Sequence, residues 1–301
     1  MALPDRVKLW EAGARDGLQN EPGVVPTEIK VELIERLADC GLRHIEAASF
    51  VSAKWVPQMG DSAEVMAALK PRPGVEYQVL APNMKGYEGA RAAGAKAVAV
   101  FAAATESFSR RNINCSIAES LDRFRPVVAQ ARADGIRVRG FVSVVAGCPF
   151  EGDVDPQQVA RVAREVMDLG CDDVGLGDTI GTGTPGKIQR VVEATARVVP
   201  LEKIGLHCHD TYGQALANTY AGLEMGVSVH DASVAGLGGC PYAPGATGNV
   251  ATEDLVYMLD GLGIETGVDL RKLVQTAWWI SDQLGRPPVS RVARALKSKF
   301  L

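Results

Sequence analysis

Asp173-Val174-Gly175-Leu176-Gly177-Asp178-Thr179 and Lys203-Ile204-Gly205-Leu206-His207-Cys208-His209 are two apolar runs of strand length. Between them Ile188, Val191 and Val192 recur at helical spacing. Thr184 offers an N-cap there, and Pro185 suits the first helical position. The stretch therefore reads as one strand–helix–strand unit. The same alternation extends in both directions, with strands expected near Val7–Ala12, His44–Phe50, Glu76–Ala81, Ala97–Ala102, Arg137–Val145, Asp173–Gly177, Lys203–His209 and Val229–Ala235. Helices are expected at Thr27–Cys40, with Ile29, Leu33, Ile34 and Leu37 on one face and Gly41 closing the end. Another starts at Asp155-Pro156 and ends at Gly170, and Gln214–Met225 closes with Gly226.

Strand and helix alternating eight times within about 250 residues is the pattern of an α/β chain folded as a TIM (β/α)8 barrel. The competing architecture is an open doubly wound sheet. No G-x-G-x-x-G follows the first strand, and eight regular units favour closure. Residues 1–250 are thus expected to form one barrel domain. Residues 251–301, with Asp254-Leu255-Val256-Tyr257-Met258 and Leu270–Leu284, are expected to be a helical extension that caps the barrel or pairs subunits.

The 301 residues are 47% hydrophobic and 23% charged, with a formal net charge of −4. A basic stripe is missing, which argues against nucleic acid as a partner. The longest apolar runs fall short of the about 20 residues that a membrane span needs. The start, Met1-Ala2-Leu3-Pro4-Asp5, reads as neither a signal nor a transit peptide, so a cytoplasmic location is expected. Six cysteines without a C-x-x-C pair read as reduced thiols. A small soluble substrate fits these features best.

Chemistry in such a barrel sits at the C-terminal ends of the strands. His207 and His209, two of only four histidines, would share one face of a strand, with Cys208 turned toward the helices. Arg15 and Asp16 end strand one, Glu46 lies within strand two and Asp178 ends strand six. Charged groups in strands are costly unless paired or ligating metal. Their convergence on one mouth therefore marks an active site, where a single such residue would be read as packing or solubility. Asp16 and Asn249 would add oxygens to the two imidazoles, a ligand mix that suits Mg²⁺, Mn²⁺ or Zn²⁺ in an open site. The glycine-rich segment Gly236–Gly248 is read as a mobile lid carrying Cys240 over the site, against the alternative of a plain flexible loop. The other cysteines read as core residues, His44 and His230 as structural groups at strand starts, and Trp278-Trp279 as helix packing.

Glu11-Ala12-Gly13-Ala14-Arg15-Asp16-Gly17-Leu18-Gln19-Asn20 and Ser233-Val234-Ala235-Gly236-Leu237-Gly238-Gly239-Cys240-Pro241-Tyr242 resemble the two hallmark segments of the 3-hydroxy-3-methylglutaryl-CoA lyase family. Ser49-Phe50-Val51-Ser52, Lys54-Trp55-Val56-Pro57-Gln58-Met59, Glu106-Ser107-Phe108-Ser109, Asn112-Ile113-Asn114-Cys115-Ser116 and Gly177-Asp178-Thr179-Ile180-Gly181 agree with it. Ala14 and Ala53 stand where that family usually has proline, and Thr247 where serine is common. The resemblance implies a metal-dependent carbon–carbon lyase of leucine degradation and ketone-body formation, cleaving hydroxymethylglutaryl-CoA to acetoacetate and acetyl-CoA. It places the Mg²⁺ or Mn²⁺ ligands at Asp16, His207, His209 and Asn249. It places catalytic groups at Arg15, Asp16, Glu46, Asp178, His207 and Cys240, with Arg15 and Gln19 as substrate contacts. Glu46 and Asp178 would hold Arg15 or the metal shell, and either Asp16 or His207 would take the substrate proton. A homodimer or higher homo-oligomer, an acyl-CoA substrate and no membrane partner complete the expectation. The competing functions are a superfamily aldolase or condensing synthase acting on a 2-oxo acid, and a metal-binding barrel without catalysis.

Overall fold

Strand β1 (Lys8–Glu11) is hydrogen-bonded in parallel to β8 (Val229–Ala232), and this one pairing turns an open sheet into a closed barrel. The structure is a computed structural model that describes residues 3–239 and 248–301. Between those strands run α1 (Thr27–Asp39), β2 (His44–Ser49), α2 (Ser62–Ala68), β3 (Glu76–Leu80), α3 (Met84–Ala92) and β4 (Ala97–Ala103). They are followed by α4 (Glu106–Ile113), α5 (Ile117–Ala133), β5 (Arg137–Ser143), α6 (Pro156–Asp168) and β6 (Asp173–Asp178). Next come α7 (Pro185–Ala196), β7 (Ile204–Cys208) and α8 (Ala215–Glu224). Beyond β8 lie α9 (Thr252–Gly261), α10 (Leu270–Gln283), α11 (Arg291–Ala295) and α12 (Lys297–Phe300). The strands follow one another around the barrel in chain order, as the TIM (β/α)8 barrel requires.

Local signals account for several element ends. Gly41 takes φ 102° after α1, a conformation that costs a glycine little. Asp155 accepts from the Gln157 N–H at 3.0 Å and Pro156 opens α6. Pro185 likewise opens α7, but Thr184 makes no side-chain cap there. Helices α4 and α5 are separated by Asn114 at φ 52°, and Ser116 and Glu119 form a capping box that starts α5.

The sheet divides the apolar core. Outward residues such as Val138, Val142, Val174, Leu176, Ile204 and Leu206 join the facing sides of the helices in one large cluster. Each buried Val or Leu there contributes roughly 1.5–3 kcal/mol by leaving water. Inside the barrel the apolar part is small, with Leu80, Ala99 and Phe141 flanked by Phe101 and Val51. Much of the remaining interior is ionic. Arg137 pairs with Glu76 at 2.9 Å and with Asp173, and Arg139 joins Asp173 at 3.0 Å to Asp231 at 2.8 Å. A column of paired charges thus climbs from the floor toward the mouth.

After β8 the chain returns to both ends of the barrel. At the floor Val7 N–H donates to Glu265 O at 3.1 Å. At the mouth Val289 N–H donates to Ala235 O at 2.9 Å, and Arg286 pairs with Glu21. Helix α10 buries Leu273, Val274, Ala277 and Ile280, and α10 packs against α1. Trp278 donates to Ala293 O at 2.8 Å and Arg36 lies over Trp279, so the tryptophan pair is packing, as expected. Among the described residues no helix is long and apolar enough to cross a membrane.

Candidate active site

Beyond β1 the chain makes a π-helical turn, Gly13–Gly17, in place of the plain strand end expected for Arg15 and Asp16. The wider turn carries both side chains into the barrel mouth. Strand β7 brings His207 there by its period of two, and Cys208 faces the helices in the main core. His209 continues the same face and forms an antiparallel bridge with Asn249. Backbone bonds from Asp210 N–H to Gly248 O at 3.0 Å and from Val250 N–H to Cys208 O at 3.0 Å hold that return strand in place.

Three ligand-type atoms converge. Asp16 Oδ2 lies 4.0 Å from His207 Nε2 and 3.9 Å from His209 Nε2, and the two Nε2 atoms are 3.3 Å apart. Asp16, His207 and His209 form the one group among the described residues able to hold a metal ion. Burial alone would raise the Asp16 carboxyl. Arg15, the two imidazoles and the Asn249 amide outweigh it and hold the group at about 2. An ionised carboxylate beside two imidazole nitrogens fits a divalent cation of mixed N/O preference. Asn249 reaches this point through Nδ2, which donates to Asp16 Oδ2 at 2.8 Å and to Leu237 O at 3.2 Å. The expected oxygen ligand therefore requires the amide to turn over. A bare carboxylate favours the N–H side, whereas a cation between the two groups would favour the oxygen.

Arg15 stands at the edge of the cluster. Its Nε donates to Glu46 Oε2 at 2.7 Å, its Nη1 to Asp16 Oδ1 at 2.7 Å, and its Nη2 also pairs with Glu46. Burial would weaken its charge, but Glu46 and Asp16 raise its pKa further and keep it cationic. Glu46 sits where the β2–β3 register shifts, and Gln78 of β3 donates to its other oxygen at 3.1 Å. Glu46 Oε2 thereby holds one edge of the guanidinium, and Asp16 holds Nη1.

The remaining sequence candidates part company with this cluster. Asp178 ends β6 and accepts from Gly183 N–H at 2.9 Å. Arg15 is held by Glu46 and Asp16, so of the expected role for Asp178, holding Arg15 or the metal shell, the geometry leaves the second, where Asp178 interacts with the charge of His207. Burial pushes it up to about 6, and its Oδ1 has no hydrogen-bond partner among the described residues. Gln19 follows the π-helical turn with a buried Oε1 that likewise lacks one. Cys240 lies outside the described residues. His44 and His230 are pushed down to about 4 by burial, with nearby cations adding to the fall at His44.

Four charged residues escaped the sequence reading. Asp231 accepts from His207 Nδ1 at 3.2 Å, and Arg139 grips Asp231 through two hydrogen bonds. Glu11 accepts from the N–H groups of Gly13 and Val234 at 2.8 Å each and from the Thr252 hydroxyl at 2.5 Å. Glu253 accepts from Ala235 N–H at 2.9 Å, pinning a non-glycine residue at φ 59°. The rule that flagged Glu46, a charge inside an apolar strand, applies equally to Glu11, Arg139 and Asp231. Glu253, in the first turn of α9, gave no such signal.

The HMGL-like family model matches residues 6–280 of this chain. The chain is 58% identical over 294 residues to the mitochondrial hydroxymethylglutaryl-CoA lyase of Gallus gallus, covering 98% of this chain and 99% of that protein. It is also 58% identical over 299 residues to the 3-hydroxy-3-isohexenylglutaryl-CoA/hydroxymethylglutaryl-CoA lyase of Pseudomonas aeruginosa, covering 99% and 100%. The solved structure of an HMG-CoA lyase from Acinetobacter baumannii, in complex with coenzyme A and 3-methylmalate, superposes with a TM-score of 0.93 at 36% identity, covering 98% of this chain and 96% of that one. With such identity sustained from end to end on a closed eight-stranded barrel, the chain belongs to the hydroxymethylglutaryl-CoA lyase family and is a lyase.

Proposed function

We propose that this chain cleaves 3-hydroxy-3-methylglutaryl-CoA to acetoacetate and acetyl-CoA, with Mg²⁺ or Mn²⁺ held by Asp16, His207, His209 and, once its amide has turned, Asn249. The observation that carries the reading is the convergence of Asp16, His207 and His209 beside the buried Arg15, on a chain of this family. When bound, the cation supplies Lewis acidity toward an alcohol oxygen and fixes the orientation of the acyl group.

The chain's own residues meet the rest of the demand. The C3 hydroxyl gives up its proton, the C2–C3 electron pair moves to C2, and C3 becomes the ketone of acetoacetate. The acceptor for that proton is Asp16 or His207. Negative charge then develops on the thioester enolate, and Arg15 presents a fixed cation for it at no reorganisation cost. Glu46 and Gln78 keep the guanidinium aimed, and Gln19 Oε1 accepts a hydrogen bond from the substrate. Asp178, with a buried Oδ1 that lacks a partner among the described residues and a pKa raised by burial, is a further polar contact of the site. Cys240 returns a proton to C2 to complete acetyl-CoA. On this reading residues 1–250 are the catalytic barrel and 251–301 an extension packed on it. The enzyme works as a homodimer or larger homo-oligomer.

Acetoacetate formation from hydroxymethylglutaryl-CoA with added Mg²⁺ or Mn²⁺, abolished by a chelator, tests the reading. No product with metal present would turn attention to a condensing enzyme acting on a 2-oxo acid. The Pseudomonas relative, named for a longer branch at C3, favours a second substrate of that kind. Parallel assay of the isohexenyl homologue decides it.

A further inference from the structure

Behind His207 the barrel interior is built around one buried ion pair. Arg139 and Asp231 are both 0% exposed. Arg139 donates from Nη2 to Asp231 Oδ1 at 2.8 Å and from Nη1 to Oδ2 at 3.1 Å, while its Nε binds Asp173 at 3.0 Å. Its guanidinium carbon lies 4.9 Å from the Trp10 ring and 4.6 Å from the Phe141 ring. Two strands give up their side chains to make room. A Cβ at Gly205 would lie 2.7 Å from Arg139 Nη2, and one at Gly175 would lie 2.6 Å from the Phe141 ring. Such a pair is poor at stabilising a fold, because desolvation offsets its attraction and apolar residues of equal size do as well. Its geometry has another consequence. With both Asp231 oxygens gripped by Arg139, the carboxylate cannot turn, and Oδ2 stays aimed at His207 Nδ1 at 3.2 Å.

We propose that Asp231, held by Arg139, is the positioning residue of the site: it keeps the His207 proton on Nδ1 and so turns the Nε2 lone pair toward Asp16 and His209. A carboxylate can only accept, so the ring nitrogen facing it must donate, and the opposite nitrogen is left as the ligand. Asp231→Asn reverses this polarity. Arg139 claims the amide oxygen, the amide N–H₂ faces Nδ1, and the proton is driven to Nε2, where it blocks ligation. The inference rests on the metal reading above.

Two measurements test it. The chain has four histidines, so ¹⁵N-histidine NMR of the metal-free protein, followed upward in pH until each ring carries a single proton, resolves His207 by comparison with His207→Ala. Wild type is expected to carry the proton on Nδ1 and Asp231→Asn on Nε2. A wild-type proton on Nε2 overturns the proposal even if the variant does not fold. Calorimetric titration of the metal-free proteins with Mn²⁺ is expected to show binding about 10–100-fold weaker in Asp231→Asn. A merely structural role would lower thermal stability and leave both tautomer and affinity unchanged. If Mn²⁺ binding is lost in His207→Ala but unchanged in Asp231→Asn, the positioning role falls alone. If wild type binds no Mn²⁺, the metal reading falls and takes this inference with it.

Discussion

Two pairs of carboxylates, all buried except the half-buried Asp16, end in opposite states. Asp16 and Asp231 in the barrel lie against Arg15, Arg139 and the imidazoles, and these partners overcome burial and hold both groups below the usual carboxylate range. Glu11 and Glu253, beneath the loop after β8, have as direct partners only N–H groups and one hydroxyl. There burial wins, and the groups are pushed up to about 7 and about 8. The nature of the partner, and not depth, decides whether a buried acid is an anion. The first pair can face a cation, whereas the second works as a set of backbone clamps that brace the loop entering from β8.

The sharpest way to break this contrast is at Arg15. Arg15→Gln is expected to lower kcat by about 10³-fold, the scale of a lost oxyanion donor, while Mn²⁺ still binds. A loss under tenfold would remove its charge from the chemistry. His207→Ala should weaken Mn²⁺ binding at least about 100-fold, beyond what loss of an outer partner costs. Unchanged stoichiometry and affinity by calorimetry would take it out of the ligand set. Glu46→Gln tests whether the mouth depends on carboxylate charge. It is expected to lower kcat by about 10–100-fold, the worth of a hydrogen bond to a charged group, with little change in metal affinity.

For the clamp pair the prediction concerns pH. Glu253 holds its proton in the folded chain up to about 8 but releases it near 4.5 in its ordinary state. Its contribution to stability is therefore complete below about 4.5 and falls as pH rises toward about 8. Glu253→Gln keeps an acceptor for Ala235 N–H and has no proton to lose. Its Tm should fall less between those pH values than that of wild type; parallel melting profiles would show that Glu253 is ionised throughout. The smallest effect is expected at Cys208, on the outward face of β7 and pushed well above the ordinary thiol range by burial. Cys208→Ala should cost about 1 kcal/mol in denaturant unfolding and leave turnover within about twofold; a large loss of activity would mean that β7 does not separate a working face from a packing face.

The barrel was legible because each strand–helix unit carries its own punctuation. Gly41, Asp155-Pro156 and Pro185 act within a few residues of the ends they mark. The histidine pair was legible for the same reason, since a period of two puts His207 and His209 on one side whatever surrounds them. Asp178 shows the limit. Its position at the end of β6 could be read, but its partner is the Gly183 N–H rather than Arg15, because the loop after β6 folds back over it. The Asn249 amide shows another, since which of its atoms faces Asp16 depends on what stands between them.

The amino-acid sequence by itself therefore determined the alternation of strand and helix, the number of such units and the phase of side chains within the strands. These follow from backbone periodicity and short-range steric rules. Only the tertiary structure decided which inward charges meet. Arg139 grips Asp231 across 92 residues, Glu11 reaches Val234 across 223, and Asn249 reaches Asp16 across 233. Periodicity says which way a residue faces. Its neighbour is chosen by strand order, register and the closing of the sheet, which no local stretch of chain contains.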